Sequence, residues 1–157
     1  MKKIDTNTLS WNIAKKTKAI KAKPIVSLLV DKSVLSKFLI DTLEGKEAVG
    51  DGAVICIGES NDIWQQMPTK LLAKYNVTAI DNDGWMVCEP KPDNSVECSE
   101  YLGEEPFYII CNWGEKTDEG LIQKGEKGDF ICRNREEHGD VWIVRRKIFL
   151  NTYNIIG

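Results

Sequence analysis

Apolar and polar residues alternate along this chain in short blocks. Ala53-Val54-Ile55-Cys56-Ile57 and Phe130-Ile131-Cys132 each follow a Gly-Asp pair, and each gives way to a polar stretch, 58–62 and 134–140. Short blocks rich in β-branched residues predict strands. Glycine tolerates positive φ and aspartate bonds its own backbone, so Gly50-Asp51 and Gly128-Asp129 predict turns. A second apolar block follows each polar stretch, centred on Trp64 and on Val141-Trp142-Ile143-Val144. Each pair of blocks therefore predicts a β-hairpin. The pattern then changes to helical spacing, with Leu71, Leu72 and Tyr75 on one apolar face and Phe149, Leu150 and Tyr153 on another. Pro68 suits a first helical turn, and Asn76 and Asn154 are expected as left-handed C-terminal caps.

These blocks are copies of one another. An ungapped displacement of 78 residues carries Gly50-Asp51 onto Gly128-Asp129, Asp62 onto Asp140, Trp64 onto Trp142, Leu72 onto Leu150 and Tyr75-Asn76 onto Tyr153-Asn154. A paired tryptophan and a paired tyrosine in one register mark a tandem duplication. Elsewhere, 23–30 reads as a strand entered near Pro24, and 106–111 as another buried strand. Residues 32–44 read as an amphipathic helix ended by Gly45, and 6–20 as a weakly periodic first helix. The expected fold class is α+β: two related hairpin–helix units, mostly antiparallel sheet with helices packed on one face, in a pseudo-twofold pair. The expected division is an N-terminal unit over 1–80 with a basic leading segment, an acidic connecting loop over 81–105, and a C-terminal unit over 106–157.

The same residues resemble a family of small bacterial and phage proteins, the PGDYG-motif proteins. The C-terminal unit resembles the family's closing part through Lys127-Gly128-Asp129-Phe130, Gly139-Asp140-Val141-Trp142-Ile143-Val144 and Ile148-Phe149-Leu150-Asn151-Thr152-Tyr153. The N-terminal unit resembles its opening through Lys21-Ala22-Lys23-Pro24-Ile25-Val26, Thr42-Leu43-Glu44-Gly45, Gly50-Asp51 and the stretch from Trp64 to Tyr75. Val49 and Lys127 stand where the motif has proline, and Gly52 stands where it has an aromatic residue. The family has no established activity. The resemblance implies an architecture and a phage or mobile-element setting, and no reaction.

Composition narrows the function classes. An apolar share of 42% and a charged share of 29% suit a soluble globular protein. No apolar run is long enough for a membrane helix, and no apolar segment follows Met1-Lys2-Lys3, so the expected location is the cytoplasm. A net charge of −3 makes nucleic acid an unlikely general partner. The charge is segregated: residues 2–23 are lysine-rich, 89–105 are acidic, and the last third is basic around Arg133, Arg135, Arg145, Arg146 and Lys147.

The five cysteines form no C-x-x-C pair, and His138 is the single histidine, so neither a metal site nor a cofactor is expected. Asp129, Cys132 and His138 are the candidates for a small hydrolase or transferase, with His138 in a polar turn six residues beyond Cys132. No catalytic residue is assigned, because turn chemistry accounts for Asp51 and Asp129 and core packing for Cys132. The preferred reading is a non-catalytic binding protein that captures an anionic small molecule, such as a nucleotide, or a host protein. Its expected ligand-binding residues are Arg133, Arg135, Trp142, Arg145 and Arg146, since arginines beside aromatics suit phosphates and carboxylates. These arginines have no basic counterpart in the first unit, and the alternation of Arg133 and Arg135 places both on one strand face.

Overall fold

The computed structural model describes residues 1–24, 39–43, 45–48, 50, 52–111 and 122–157. Within them, chain order gives β1 (Lys2–Lys3), β2 (Asn12–Lys16), β3 (Ile20–Pro24), β4 (Leu39–Thr42), β5 (Gly45–Ala48), β6 (Val54–Ile57) and β7 (Ile63–Gln66). A helix α1 (Pro68–Lys74) leads into β8 (Tyr75–Ile80), β9 (Met86–Pro90), β10 (Ser95–Glu100), β11 (Phe107–Ile110), β12 (Ile122–Gly125), β13 (Phe130–Arg133) and β14 (Val141–Val144). A second helix α2 (Arg146–Thr152) precedes β15 (Tyr153–Ile155). The fold is therefore mostly β, not the expected α+β with helices packed on a sheet face. Each helix has only seven residues, and its main apolar contribution to the core is a single side chain, Leu71 or Phe149. Two turns that short cannot cover a sheet as a layer.

Several local expectations change for definite reasons. The segment 6–20 forms a 3-10 turn at Thr6–Thr8, then β2 and the start of β3. Ala14 and Lys16 are buried while Ile13 and Lys15 between and beside them are half-buried, a strand period that weak helical spacing concealed. Residues 39–42 are a strand hairpinned onto β5, where a helix was expected; 25–38 and Glu44 lie outside the described residues, as does the rest of the strand expected over 23–30. Asn76 and Asn154 are strand residues, not left-handed caps: Tyr75 and Tyr153 end the helices in extended conformation and the chain runs straight on. Leu72 and Leu150 are 53% and 54% exposed, so neither shares the buried face of its helix. The stretch 81–105, expected as a connecting loop, carries all of β9 and all of β10.

The duplication is visible in the strand order. One five-stranded sheet runs β7-β6-β3-β9-β8, and the other β14-β13-β10-β2-β15. In the sequence repeat, β6, β7, α1 and β8 match β13, β14, α2 and β15. The pairing registers extend the match, because Ala22 faces Cys56 as Cys98 faces Cys132, and Ile20 faces Cys88 as Val96 faces Ala14. Strand β3 thus matches β10, and β9 matches β2. Chain order then makes β2 the first strand of repeat one and β9 the first strand of repeat two. Each has moved into the other repeat's sheet, where it sits between two strands of that repeat.

The cores follow the sheets. Ile20, Ala22, Val54, Cys56, Leu71, Tyr75 and Cys88 form one cluster, and Ala14, Val96, Cys98, Phe130, Cys132 and Phe149 form its counterpart. The two sheets meet at Lys16, whose ammonium lies 4.7 Å from the ring centre of Tyr153 and 5.7 Å from that of Trp64. A third cluster lies on the opposite face of the second sheet, where Ile131, Val141 and Ile143 pack against Phe107 and Ile109 of the sheet β1-β11-β12. Backbone ends are tied by aspartate: Asp129 accepts from Glu126 N through Oδ2 and from Arg146 N, the first residue of α2, through Oδ1. Gly128 makes that turn at φ +91°, a conformation that disfavours any side chain.

Candidate functional site

The five expected ligand-binding residues separate into three places. Arg133 and Arg135 reach the same strand two residues apart: Arg133 Nε donates to Glu97 Oε2 at 2.5 Å, and Arg135 Nη1 donates to Ser95 Oγ at 2.9 Å. Trp142 pairs with Cys132 in register and packs into the core on the other face of the sheet. Arg145 and Arg146 lie at the opposite end of β13. Arg145 Nη1 is 2.8 Å from Asp129 Oδ2 and its Nη2 donates to Leu43 O, while Arg146 pairs with Glu100. Most of the added arginines are thus held by carboxylates that the same repeat supplies.

The candidate catalytic residues do not assemble. Cys132 is fully buried in the core cluster with Phe130 and Phe149. Its neighbour Arg133 points the other way, as strand alternation requires, and His138 Nε2 lies on that side, 3.6 Å from Glu97 Oε1. The sheet separates thiol from imidazole. Asp129 is committed to the turn and to α2, and Asp51 lies outside the described residues. The other thiols are equally enclosed; burial pushes Cys56 up to about 12 and Cys98 up to about 11, so neither supplies a thiolate near neutral pH.

Around Arg133 and Arg135 the structure adds residues that no single stretch of sequence joins. Trp11 lies under Arg133, with the guanidinium carbon 4.2 Å from its ring centre, a cation–π stack. Lys15 sits directly opposite Ser95 across the β2–β10 pair, on the same face. Lys74, from α1 of the other repeat, donates to Ser95 O at 3.2 Å and approaches Glu136 at 3.6 Å. Ser95 is therefore ringed by Arg135, Lys15 and Lys74. Among the described residues no carboxylate pairs with Lys15 or Arg135. The one signal in the sequence was the alternation Ile13, Lys15 against Ala14, Lys16, which places Lys15 outward once β2 is known to be a strand.

Lys16, on the inward face, is 8% exposed. Burial lowers its pKa, opposed by the nearby Asp62 carboxylate, whose Oδ1 is buried without a hydrogen-bond partner. The geometry gives this ammonium two aromatic rings in place of water. No protein-family model matches the chain, and no curated protein or solved structure aligns with it.

Proposed function

We propose that this is a non-catalytic binding protein that captures an anionic partner on the outward face of the second sheet, at Arg135, Ser95 and Lys15. A phage or mobile-element setting, implied by the PGDYG resemblance, belongs to the same proposal. The observation that carries it is the placing of two cations beside Ser95, Lys15 opposite it on β2 and Arg135 bonded to it from the turn after β13, with Glu97 engaged by Arg133. Two cations without carboxylate partners among the described residues, one on either side of β10, suit the oxygens of a phosphate or carboxylate. Trp142, Arg145 and Arg146 leave the proposed site, since core packing and ion pairs occupy them.

The test is a thermal-shift series against nucleotides, inorganic phosphate and polyglutamate at low salt. A positive shift with one of these, lost in Arg135→Glu and in Lys15→Glu, supports the site. No shift with any of them, together with reversal variants that behave like the parent, sinks it.

A further inference from the structure

Cys98 of β10 and Cys132 of β13 stand directly opposite each other. Both side chains belong to the core cluster on the inner face of the second sheet. The surrounding hydrogen bonds define which kind of cross-strand pair this is. Tyr101 N donates to Asp129 O, three residues further along the same register. Hydrogen-bonded and non-hydrogen-bonded pairs alternate along an antiparallel ladder, so Cys98 and Cys132 are a non-hydrogen-bonded pair. Both neighbouring strands agree. Lys16 N donates to Asn94 O, a register that turns the backbone of Cys98 toward Asn12 on β2. Asn134 N donates to Asp140 O, a register that turns the backbone of Cys132 toward Trp142 on β14.

A pair of this kind brings its Cα atoms to about 4.5 Å and its side chains close together. A disulfide spans Cα separations of roughly 4.4–6.8 Å. The two thiols can therefore be bridged with little backbone movement. No other two of the five cysteines face each other across neighbouring strands. Cys56 and Cys88 lie on β6 and β9, on either side of β3, two strand spacings or roughly 9–10 Å apart. Cys111 packs on the opposite face of the second sheet. The first repeat supplies an internal comparison, because its matching pair is Ala22 opposite Cys56. A methyl group serves there, so the fold does not require a thiol at both positions.

We infer that Cys98 and Cys132 are an oxidisable pair, which a small-molecule disulfide such as oxidised glutathione converts to a cross-strand disulfide. One protein thiolate attacks a sulfur of the small disulfide and expels a small thiolate. The second protein thiolate attacks the resulting mixed disulfide and expels the other. One S–S bond forms in the protein and one breaks in the reagent. The protein gives up two electrons and two protons, which leave as two small-molecule thiols. Both thiols are buried, and burial raises Cys98 to about 11, so exchange proceeds through local opening of the sheet. The bridge lies one residue from the Arg133–Glu97 pair and ties together the two strands that carry it. It does not depend on the anion-binding reading above.

The experiment holds the full chain in mixed oxidised and reduced glutathione, with urea below the unfolding transition to speed local opening, until the thiol count stops changing. The sample is then quenched in acid, denatured, alkylated and mapped by peptide mass spectrometry. The expected result is three alkylated cysteines of the five, a loss of two hydrogen atoms in mass, and one linked peptide pair joining Cys98 to Cys132. The bridged chain is expected to keep the circular dichroism of the reduced one, and dithiothreitol to return all five thiols. Cys98→Ala copies the first repeat, so it is expected to fold and to keep its four remaining thiols under the same treatment. Five alkylated cysteines in the parent, while a fully denatured sample in the same mixture loses thiols, overturns the inference. So does a link between any other two cysteines, glutathione adducts without a link, or bridging that abolishes the native spectrum.

Discussion

Lys70 of the first repeat places its ammonium 2.7 Å from Asp140 Oδ2 of the second. The pair joins helix α1 to the hairpin turn of the other repeat, and Lys74 adds a contact with Glu136 beside it. The duplicated position is not equivalent: by the repeat register Ile148 stands in place of Lys70, and Asp62 in place of Asp140. Asp62 accordingly has a buried oxygen with no hydrogen-bond partner, while Asp140 has one.

Asp140 is mostly buried and Lys70 about one-third exposed, so the pair is partly shielded from solvent. Asp140→Ala is expected to cost about 1–2 kcal/mol, because it leaves the ammonium only the longer contact with the exposed Glu137, at 3.9 Å. A double-mutant cycle with Lys70→Met, followed by urea denaturation, is expected to show coupling of about 0.5–2 kcal/mol. Additive losses would mean the two residues act separately.

Lys16 carries its charge into a core where burial disfavours it. Its folded pKa is lowered, so below that value the folded state bears the full penalty, and the penalty fades as pH rises toward the unfolded value near 10.4. Lys16→Met is expected to stabilise the protein by about 1 kcal/mol at pH 7. The gain over the parent should shrink at pH 9 to 10, read from urea midpoints at each pH. A gain that is constant with pH would assign it to packing alone.

The buried thiols act in the opposite sense. Cys56 is raised to about 12 and Cys98 to about 11, while an unfolded thiol ionises near 8.5. The unfolded chain therefore loses protons first, and stability is present below about pH 8.5 and falls as pH rises from there toward the folded values. Thiol titration at pH 8 is expected to find all five cysteines slow to react in the native protein and fast in denaturant. A thiol that reacts at once in the native state would contradict the packing.

Strand exchange between the repeats predicts how a cut chain behaves. The turn Asp81 to Trp85 joins β8 to β9, that is, repeat one to repeat two, and Lys21 pairs with Asp81 beside it. A protease site placed at Asn82 and cleaved in the folded protein should leave one particle by size exclusion. Each fragment keeps a strand inside the other's sheet, β2 in one direction and β9 in the other. Separation of the fragments without denaturant would refute the exchange.

Both hairpins and both short helices were legible because their signals are local: a Gly-Asp turn, a β-branched block and a proline at a first helical turn each act within a few residues. The segment 6–20 misled because Trp11, Ile13 and Ala14 admit two periods, and only pairing with β10 and β15 selects the strand. The acidic run 89–105 read as solvated loop because its charges had no visible partners. Glu97 and Glu100 find theirs in Arg133 and Arg146, dozens of residues away. For the same reason Trp142 was placed with Arg133 by nearness in sequence, while alternation and pairing put them on opposite faces.

By itself, the sequence determined that a unit is written twice, where its turns fall, and that Arg133 and Arg135 share a face. Those are properties of neighbouring residues, set by φ preference and side-chain period. Tertiary structure alone decided that the first strand of each repeat lies in the other's sheet, that Lys15 stands across from Ser95, and that Lys16 is buried between two aromatic rings. These depend on which distant strands exchange hydrogen bonds, and backbone pairing carries almost no residue-specific code. The outcome rests on burying both apolar faces at once.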